Sequence, residues 1–372
     1  MDNEKRTMDH EGMKSGIVHF PLSDVHFDNS AKTIEIQSNI SLAPFTTMKI
    51  GGKARFFVKA GNEQQVADAV GFAKKNDLGL FVLGGGSNIL VSDKGFDGLV
   101  LQIALKGIED CPGQDFGLTV KAGENWDAFV AYCVERDLAG IECLSGIPGF
   151  VGGTPVQNVG AYGQEVSETI VSVRCLDRNS GEIVELSNAE CGFSYRTSIF
   201  NSTMRDRFIV LAVTYRLKKG GVPKIVYKDL REYFGGTAAA LAKVRKAVLN
   251  IRAAKSMVID ANDPNSQSAG SFFKNPIVPG SIITEIGVEN IPHFPVDEET
   301  VKIPAAWLIE TAGFYKGYKL GNVGISTKHS LALINLGGGT AEEILALTGR
   351  IQAEVESKFG ISLQPEPIFV GF

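Results

Sequence analysis

Two glycine-rich stretches of this chain are the best candidates for binding a ligand. The longer stretch, 146–163, reads GIPGFVGGTPVQNVGAYG and contains six glycines and two prolines, which helices and central strands do not tolerate in such numbers. It carries apolar residues and no charged ones, unlike a flexible linker. Buried irregular backbone leaves N–H and C=O groups in need of partners, which phosphate oxygens or heterocycle edges can supply. The stretch is therefore predicted to be an irregular loop that lines a ligand, with a structural crossover as the alternative.

A second glycine cluster, at 84–86, ends a predicted strand and is followed by Ser87 and Asn88. Successive N–H groups in such a loop can form an anion-binding nest, and the two polar side chains add donors for a phosphate. The residues that follow read as a short strand and a turn, and Ile89 stands where a dinucleotide-binding fingerprint requires its third glycine. The Rossmann fold is therefore disfavoured.

Length and composition limit the function classes. The chain has 372 residues, enough for two or three domains, with 44% hydrophobic and 21% charged residues as in globular proteins. A net charge of −5 argues against nucleic-acid binding, for which a basic patch is the usual footprint. No apolar run approaches the ~18 residues that span a membrane.

Cysteine and histidine positions point to a reducing compartment and to no metal site. The five cysteines are scattered and form no C-x-x-C pair, which fits free thiols in a cytoplasm. Three of the five histidines lie in the polar first forty residues without metal-ligand spacing, so no metal is predicted. The first residues mix both charges without an apolar segment, so no secretory signal is expected.

Hydrophobic periodicity predicts the elements that must position the two loops. Residues 1–37 are expected to be an N-terminal extension, partly disordered or laid on the surface. The body begins near residue 38, with a strand at 54–60 and a helix that Asn62 opens. Further strands are predicted at 78–86, 99–104, 118–123, 170–177, 182–186 and 207–218, and helices at 126–137 and 238–255.

The last part of the chain is predicted to form a new domain after a loop at 256–270. Thr340 and Glu343 form a capping box that begins a helix, and Gly360 ends it. Beyond this helix, Glu366 lies between two prolines. The other predicted elements of this part are a helix at 304–312 and a strand at 330–336.

Four stretches occur together in one order: GGGSNIL (84–90), the 146–163 loop, FSYRTSIF (193–200) and GSFFKNP (270–276). Together they resemble the UDP-N-acetylenolpyruvoylglucosamine reductases of bacterial peptidoglycan synthesis, with a match that runs from about residue 40 to the C-terminus. The first two stretches also occur loosely in the wider vanillyl-alcohol-oxidase-like class of FAD proteins. The GSFFKNP stretch and the pair Tyr195-Arg196 narrow the resemblance from that wider class to the reductases.

The resemblance implies an α+β fold, with a two-part FAD-binding region of the vanillyl-alcohol-oxidase-like (PCMH) type and a C-terminal α+β substrate domain. The expected boundaries are 38–105 and 106–256 for the FAD-binding subdomains and 257–372 for the substrate domain. The tail segment of that domain, 361–372, is expected to return to the active site. The implied reaction uses NADPH to reduce FAD, and the reduced flavin converts UDP-N-acetylglucosamine enolpyruvate to UDP-N-acetylmuramate.

The matching positions also imply the site residues. Arg196, Ser271 and Glu366 are expected to be catalytic. The expected FAD contacts come from the two glycine-rich stretches: Gly84, Gly85, Gly86, Ser87, Asn88, Pro148, Gly149, Gly153, Thr154, Asn158, Gly160, Ala161 and Tyr162. The expected substrate contacts are Tyr227, Lys255, Lys274, Asn275 and His329. Tyr227 belongs to an insert that resembles the subclass whose extra loop folds over the nucleotide.

The implied chemistry needs these residue types. Hydride addition to the β-carbon of the enolpyruvyl group leaves negative charge on the α-carbon and its carboxylate, which positive charge and hydrogen-bond donors must stabilise. The planar guanidinium of Arg196 suits a carboxylate, and Glu366 could donate a hydrogen bond if burial keeps it protonated. Ser271 can protonate the α-carbon because that carbanion is more basic than an alkoxide. Taken singly, Arg196 could instead form a surface ion pair, Glu366 could be a solvated carboxylate, and Ser271 could cap a turn.

Three features depart from the family pattern. Gln364 stands where glutamate is frequent, Lys328 or His329 replaces a substrate-side glutamine, and the N-terminal extension has no counterpart.

The main alternative function is a vanillyl-alcohol-oxidase-like FAD enzyme that oxidises sugars or alcohols and is reoxidised by oxygen. Such enzymes often attach flavin through histidine or cysteine, but no histidine lies between residues 27 and 292. A non-enzymatic nucleotide-binding module would leave the three expected catalytic residues without a role. We expect a cytoplasmic monomer with no nucleic-acid or membrane partner.

Overall fold

The computed structural model describes residues 34–111, 116–286, 288 and 291–372, so most of the predicted N-terminal extension lies outside the described residues. The elements of the first region are β1 (Gln37–Ser41), β2 (Lys53–Ala60), α1 (Glu63–Lys75), β3 (Gly79–Leu83), β4 (Ile89–Val91) and β5 (Phe96–Ile103). Four of these strands form a mixed sheet of order β1-β2-β5-β3, in which β5 runs parallel to both of its neighbours. The glycine cluster follows β3 directly.

The second region contains a five-stranded antiparallel sheet and most of the longer loops. Its elements are β6 (Ile108–Asp110), β7 (Gly117–Lys121), α2 (Trp126–Glu135), β8 (Leu138–Ala139), β9 (Gly160–Ala161), β10 (Gln164–Glu165), β11 (Ile170–Asp177), β12 (Ile183–Ser187), β13 (Phe208–Arg216), β14 (Lys218–Lys219), α3 (Lys228–Phe234) and α4 (Leu241–Ala254). The sheet order is β12-β11-β13-β7-β6. The 146–163 loop connects α2 and β8 to this sheet and is irregular apart from one short 3₁₀ turn and the two residues of β9, as predicted.

The third region packs two small sheets against helices. Its elements are β15 (Ile277–Pro279), α5 (Ile282–Glu285), β16 (Phe294–Pro295), β17 (Thr300–Lys302), α6 (Ala305–Thr311), β18 (Lys319–Leu320), β19 (Val323–Ile325), β20 (Leu333–Asn335), α7 (Ala341–Phe359) and β21 (Ile368–Val370). The sheets have the orders β15-β17-β16 and β18-β19-β20. Strand β21 leaves this region and pairs in parallel with β4 of the first region.

Two large apolar clusters hold these regions together. One cluster joins the first two sheets with α1 and α2, and its aromatic centre is Trp126, Phe129 and Tyr215, all fully buried. Their ring centroids lie 5.2 to 6.1 Å apart, a separation at which aromatic side chains interact favourably. The other cluster joins α6 and α7 to Phe272 and Phe273, and also contains residues beside the first glycine loop.

Local side-chain signals fix where the helices start and stop. Asn62 accepts a hydrogen bond from the N–H of Gln65 at 2.9 Å, which confirms it as the N-cap of α1. Thr340 and Glu343 form the predicted capping box of α7, and Gly360 ends that helix with a left-handed φ of 66°. The other predicted helices and strands are present, with their ends shifted by at most three residues.

The start of α4 differs from the prediction of 238–255. The helix begins at Leu241, after an Ala240 N-cap that has no side-chain cap, and the Thr237 hydroxyl donates to the carbonyl of Phe234 at the end of α3. Val244 and Val248 are buried, whereas Ala254 is exposed.

Candidate active site

The two glycine-rich loops lie against each other. A Cβ atom added to Gly85 would lie 2.6 Å from the Cα of Gly149, closer than real side chains approach backbone. Gly149 itself has a φ of 125°, and a Cβ there would lie 2.8 Å from the Oγ of Ser87. These positions therefore need glycine for a close approach of backbone to backbone. The two segments that the sequence singled out separately form one structure.

Two polar side chains hold the longer loop in shape. The Thr154 hydroxyl lies 2.8 Å from the hydroxyl of Tyr215 and donates to the carbonyl of Val151 at 2.8 Å. The Asn158 amide donates to Glu165 at 2.9 Å and to the carbonyl of Ser194 at 3.0 Å. Because Thr154 and Asn158 are buried and bonded to protein, any contact that they make with a cofactor comes from their backbone.

A cleft of about 760 Å³ runs between the first two sheets and the tail segment. Its volume is in the range of ligand-binding clefts. Gly84 and Gly153 line it, and a Cβ at either position would meet no protein atom within 4 Å, so backbone faces open space there. Arg178 and Arg205 also line the cleft and are shared with a neighbouring pocket of about 390 Å³. Exposed backbone amides together with guanidinium groups suit a long ligand that carries phosphates, so these residues fit a dinucleotide such as FAD.

Asn88 bridges the first glycine loop to the tail segment. Its side-chain amide donates to Oε1 of Gln157 at 2.5 Å and to the carbonyl of Glu366 at 3.3 Å. Its own carbonyl accepts a hydrogen bond from the N–H of Ile368 at 3.0 Å. The side-chain amide of Asn88, which the sequence assigned to a phosphate, therefore contacts protein groups.

The tail segment carries Glu366 to the start of the third region. The N–H of Glu366 donates to the carbonyl of Phe272 at 2.8 Å, and the N–H of Lys274 donates to the carbonyl of Gln364 at 3.0 Å. This antiparallel pairing fixes Glu366 beside the residue that follows Ser271. Glu366 and Lys274 also line the cleft.

Arg196 and Glu366 face each other, and Glu366 lies on the wall of the cleft. The Nε of Arg196 lies 3.5 Å from Oε1 of Glu366, and the side chains are 19% and 15% exposed. Burial raises the pKa of Glu366 above its ordinary value, although Arg196 and Lys274 favour the charged form. Arg196 also donates from Nη2 to the carbonyl of Gly160 at 2.6 Å and has a left-handed φ of 53°, a strained conformation for a residue with a side chain.

His329 contacts Ser271. The Nε2 of His329 lies 3.3 Å from the Oγ of Ser271. Burial lowers the pKa of His329 to about 4, and the cations Lys255, Lys316 and Arg252 act in the same direction. His329 is therefore a neutral imidazole at physiological pH.

The Tyr195 ring connects the Tyr-Arg pair to the third region. Burial raises the pKa of Tyr195 and hydrogen bonding by Asn275 acts to lower it, while the Asn275 side chain accepts from the N–H of Ala305 at 2.9 Å, at the start of α6. The Nζ of Lys302 lies 4.7 Å from the ring centroid of Tyr195. Sequence reasoning missed Lys302, since a lysine at the end of a short strand gives no signal.

A second group of predicted residues surrounds the ends of α3 and α4. Tyr227 precedes α3, is 44% exposed, and lies edge-on to Tyr162 with a centroid distance of 5.4 Å. The Nζ of Lys255 pairs with Asp229 at 2.9 Å. Hydrogen bonding and attraction to Asp229 raise the pKa of Lys255, although burial is the largest influence and acts against them.

Sequence reasoning also missed Arg252. It is only 7% exposed, and its Nε has no hydrogen-bond partner among the described residues. A signal existed, because Arg252 stands four residues after Val248 on the buried face of α4. A buried guanidinium with a free donor, close enough to influence Tyr162 and His329, marks this place as suited to an anion.

Among the residues that the structure describes, no cluster of three or more His, Cys, Asp or Glu side chains could hold a metal ion. No described helix is both long and apolar enough to span a bilayer.

Comparisons with known proteins agree with this architecture. Residues 263–370 match the family model "UDP-N-acetylenolpyruvoylglucosamine reductase, C-terminal domain", and residues 54–187 match the model "FAD binding domain". The chain is 44% identical over 354 residues to the UDP-N-acetylenolpyruvoylglucosamine reductase of Thermobifida fusca, covering 91% of this chain and 99% of the relative. It is 45% identical to that of Streptomyces coelicolor over 89% of each chain. The crystal structure of the reductase from Thermus caldophilus superposes with a TM-score of 0.64 at 25% identity, covering 91% of this chain and 98% of that one.

Proposed function

The chain belongs to the UDP-N-acetylenolpyruvoylglucosamine reductase family, and from that premise we propose how its own residues serve the reaction. It is an FAD-dependent oxidoreductase of peptidoglycan synthesis that uses NADPH to reduce UDP-N-acetylglucosamine enolpyruvate to UDP-N-acetylmuramate. Its α+β fold has a two-part FAD-binding region of the vanillyl-alcohol-oxidase-like type and a C-terminal substrate domain. When bound, FAD accepts hydride from NADPH and delivers it to the β-carbon of the enolpyruvyl group.

Arg196 and Glu366 are proposed to stabilise the charge that develops on the substrate. Negative charge grows on the α-carbon and its carboxylate, and donors fixed in advance at that place lower the barrier. The Arg196 guanidinium offers a charged planar donor, and the raised pKa of Glu366 favours a protonated carboxyl that can donate a hydrogen bond. The observation that carries this proposal is the 3.5 Å approach of Arg196 to Glu366, which lines the cleft.

Ser271 is proposed to protonate the α-carbon. Its O–H bond breaks, the proton forms the new C–H bond, and the oxygen keeps the electron pair. The pairing of Glu366 with the residue after Ser271 supports this role, because it brings the backbone of the proton donor next to the segment that carries the charge-stabilising carboxyl. A hydroxyl can act in this way only toward a carbanion more basic than an alkoxide.

Backbone groups of the two glycine loops are proposed to hold FAD. The open faces of Gly84 and Gly153 and the close contact between Gly85 and Gly149 support a cradle formed by main-chain amides. The FAD contacts expected from the sequence of both stretches stay in this proposal, with Thr154 and Asn158 acting through their backbone.

Five polar or cationic residues are proposed to contact the UDP-sugar: Tyr227, Lys255, Lys274, Asn275 and His329. Their cationic and polar groups suit the diphosphate and the sugar, and Arg252 adds a buried guanidinium. Tyr227 lies on an exposed segment before α3, which suits a subclass loop that folds over the nucleotide.

We also propose that the enzyme works as a monomer in the cytoplasm. The arginine, glutamate and serine of the proposed centre all come from one chain. Analytical ultracentrifugation of the flavin-loaded protein would test whether it is a monomer. Fractionation of cells would test the cytoplasmic location.

The test of the function uses anaerobic flavin absorbance. The purified yellow protein is reduced with NADPH, and UDP-N-acetylglucosamine enolpyruvate is then added without oxygen. We expect the oxidised spectrum to return with formation of UDP-N-acetylmuramate. A flavin that stays reduced until oxygen is admitted would overturn the assignment and favour an oxidase.

A further inference from the structure

We propose that His329 is a positioning residue that directs the Ser271 hydroxyl toward the substrate and returns a proton to it after the reaction. This inference rests on the proton-donor role proposed above for Ser271. The two side chains meet at 3.3 Å, Nε2 to Oγ. Their loops are joined by backbone, because the N–H of Phe272 donates to the carbonyl of Leu331 at 2.8 Å. The backbone hydrogen bond therefore keeps the loop of Ser271 next to the loop of His329.

The surroundings of His329 keep it neutral. Lys255 and Arg252 face it from the end of α4, and Lys316 faces it from the turn after α6, whereas Glu310, which lies on α6, opposes these cations. A second positive charge among three cations is unfavourable, and burial adds to that cost. A neutral imidazole carries one ring proton, so one nitrogen donates and the other accepts.

The proposed chemistry selects the tautomer. The Ser271 hydroxyl has a single proton, and if that proton pointed to Nε2 it could not reach the substrate. Nε2 of His329 must therefore carry the ring proton and donate it to the serine oxygen, which leaves the serine proton free. The same hydrogen bond stabilises the negative charge that forms on the oxygen, so it makes Ser271 a stronger acid.

The relay balances in protons and charge. Ser271 gives its proton to the α-carbon and becomes an alkoxide. The proton on Nε2 of His329 moves to that oxygen while a proton from water joins Nδ1. The imidazole is neutral before and after, the product has gained one proton from solvent, and exchange of the ring protons with water returns the proton to Nε2 before the next turnover.

Nitrogen NMR tests the ground-state part of this inference. The chain has five histidines, so a ¹⁵N-histidine-labelled holoenzyme gives few signals, and the signal absent from His329→Gln identifies the residue. At pH 7 we expect a neutral ring with its proton on Nε2. A proton on Nδ1, or an imidazolium, would overturn the inference.

Rapid-reaction kinetics test the relay. At saturating substrate, His329→Ala is expected to slow reoxidation of the NADPH-reduced enzyme roughly 100-fold. His329→Gln keeps a hydrogen-bond donor but cannot relay a proton, so it is expected to slow reoxidation roughly 10-fold. Reduction by NADPH is expected to change less than about twofold in both. Thr327→Val is the control for a loosened loop, because Thr327 lies on the same loop as His329 and the change removes its 3.1 Å hydrogen bond to Asn265. This variant should leave the rate of reoxidation unchanged.

The outcomes separate this inference from the function proposed above. A rise in KM without a slower rate at saturation would make His329 a binding residue only and overturn the relay. In the double variant Ser271→Ala/His329→Ala, the second change should add no further slowing, because the two residues act as a unit. If Ser271→Ala slows reoxidation but neither His329 variant does, the relay fails and the role of Ser271 stands.

Discussion

The Nε of Arg196 lies 3.5 Å from Oε1 of Glu366, and the two residues reach this position from opposite parts of the fold. Arg196 follows β12 in the second region, whereas Glu366 lies in the tail segment just before β21. Both are largely shielded from solvent. The pair links the FAD-binding region to the substrate domain at the point where the substrate is proposed to react.

Arg196→Lys tests whether the shape of the guanidinium matters. One guanidinium serves Glu366 through Nε and the carbonyl of Gly160 through Nη2, and a lysine with a single nitrogen cannot reach both. We expect kcat to fall roughly 100-fold while flavin content stays the same. Arg174→Lys is the matched control, because Arg174 contacts Glu63 through two nitrogens outside the cleft, and its activity should be retained. Equal activity in the two variants would contradict the role of Arg196.

Ser271→Ala separates the two halves of the catalytic cycle. The proton donor acts only after hydride has left the flavin, so reduction by NADPH should be nearly unchanged. Reoxidation by substrate should slow by roughly three orders of magnitude. Stopped-flow absorbance of the flavin measures both rates. Similar damage to both half-reactions would show that the hydroxyl has another role.

Gly85→Ala should weaken flavin retention. The new methyl group would lie 2.6 Å from the backbone of Gly149, so the two loops must separate. The ratio of flavin to protein absorbance after purification measures the effect. Gly71→Ala is the control, because Gly71 lies on the exposed side of α1 with open space around it, and alanine there should raise stability by roughly 0.5–1 kcal/mol. Full flavin content in Gly85→Ala would contradict the cradle.

Asp263 should make stability depend on acid pH. Burial acts to raise its pKa, but hydrogen bonds from Ser256, Lys328 and Asn265 outweigh burial and hold the pKa well below its usual range. Its contribution to stability is therefore present above about pH 4 and is lost as the pH falls further.

Asp263→Asn is expected to lower the free energy of unfolding by roughly 1–2 kcal/mol at pH 7, with a smaller difference at pH 3. Urea titrations at both pH values measure this. Asp297→Asn is the control, because Asp297 has a lowered pKa in an exposed turn and should change stability little. A difference for Asp263→Asn that is the same at both pH values would contradict the explanation.

The sequence was informative wherever the signal is local. Asn62 opens α1 and the Thr340–Glu343 box opens α7 because capping depends on a few neighbouring residues. The irregular backbone of the 146–163 loop follows from glycine and proline alone. Among the residues missed, Arg252 had such a signal in its spacing from Val248, and Lys302 had none.

Long-range contacts could not be predicted from the residues themselves. Nothing in the sequence around Asn88 indicates that its amide reaches Gln157 and the carbonyl of Glu366 instead of a ligand. The contact of Ser271 with His329 likewise depends on how β20 and the segment before β15 pack. Only the resemblance to a family suggested that these residues share one site, and the atomic contacts needed the structure.

The pairing of β21 with β4 and of Glu366 with Phe272 has a consequence for the order of folding. These contacts join residues far apart along the chain, so closing them carries a loop entropy cost that favours a late step of folding. The approach of Glu366 to Arg196 depends on that step. A molecule in which residues 365–372 have detached would keep both apolar clusters and lack the contact between Arg196 and Glu366, so it would be folded but inactive.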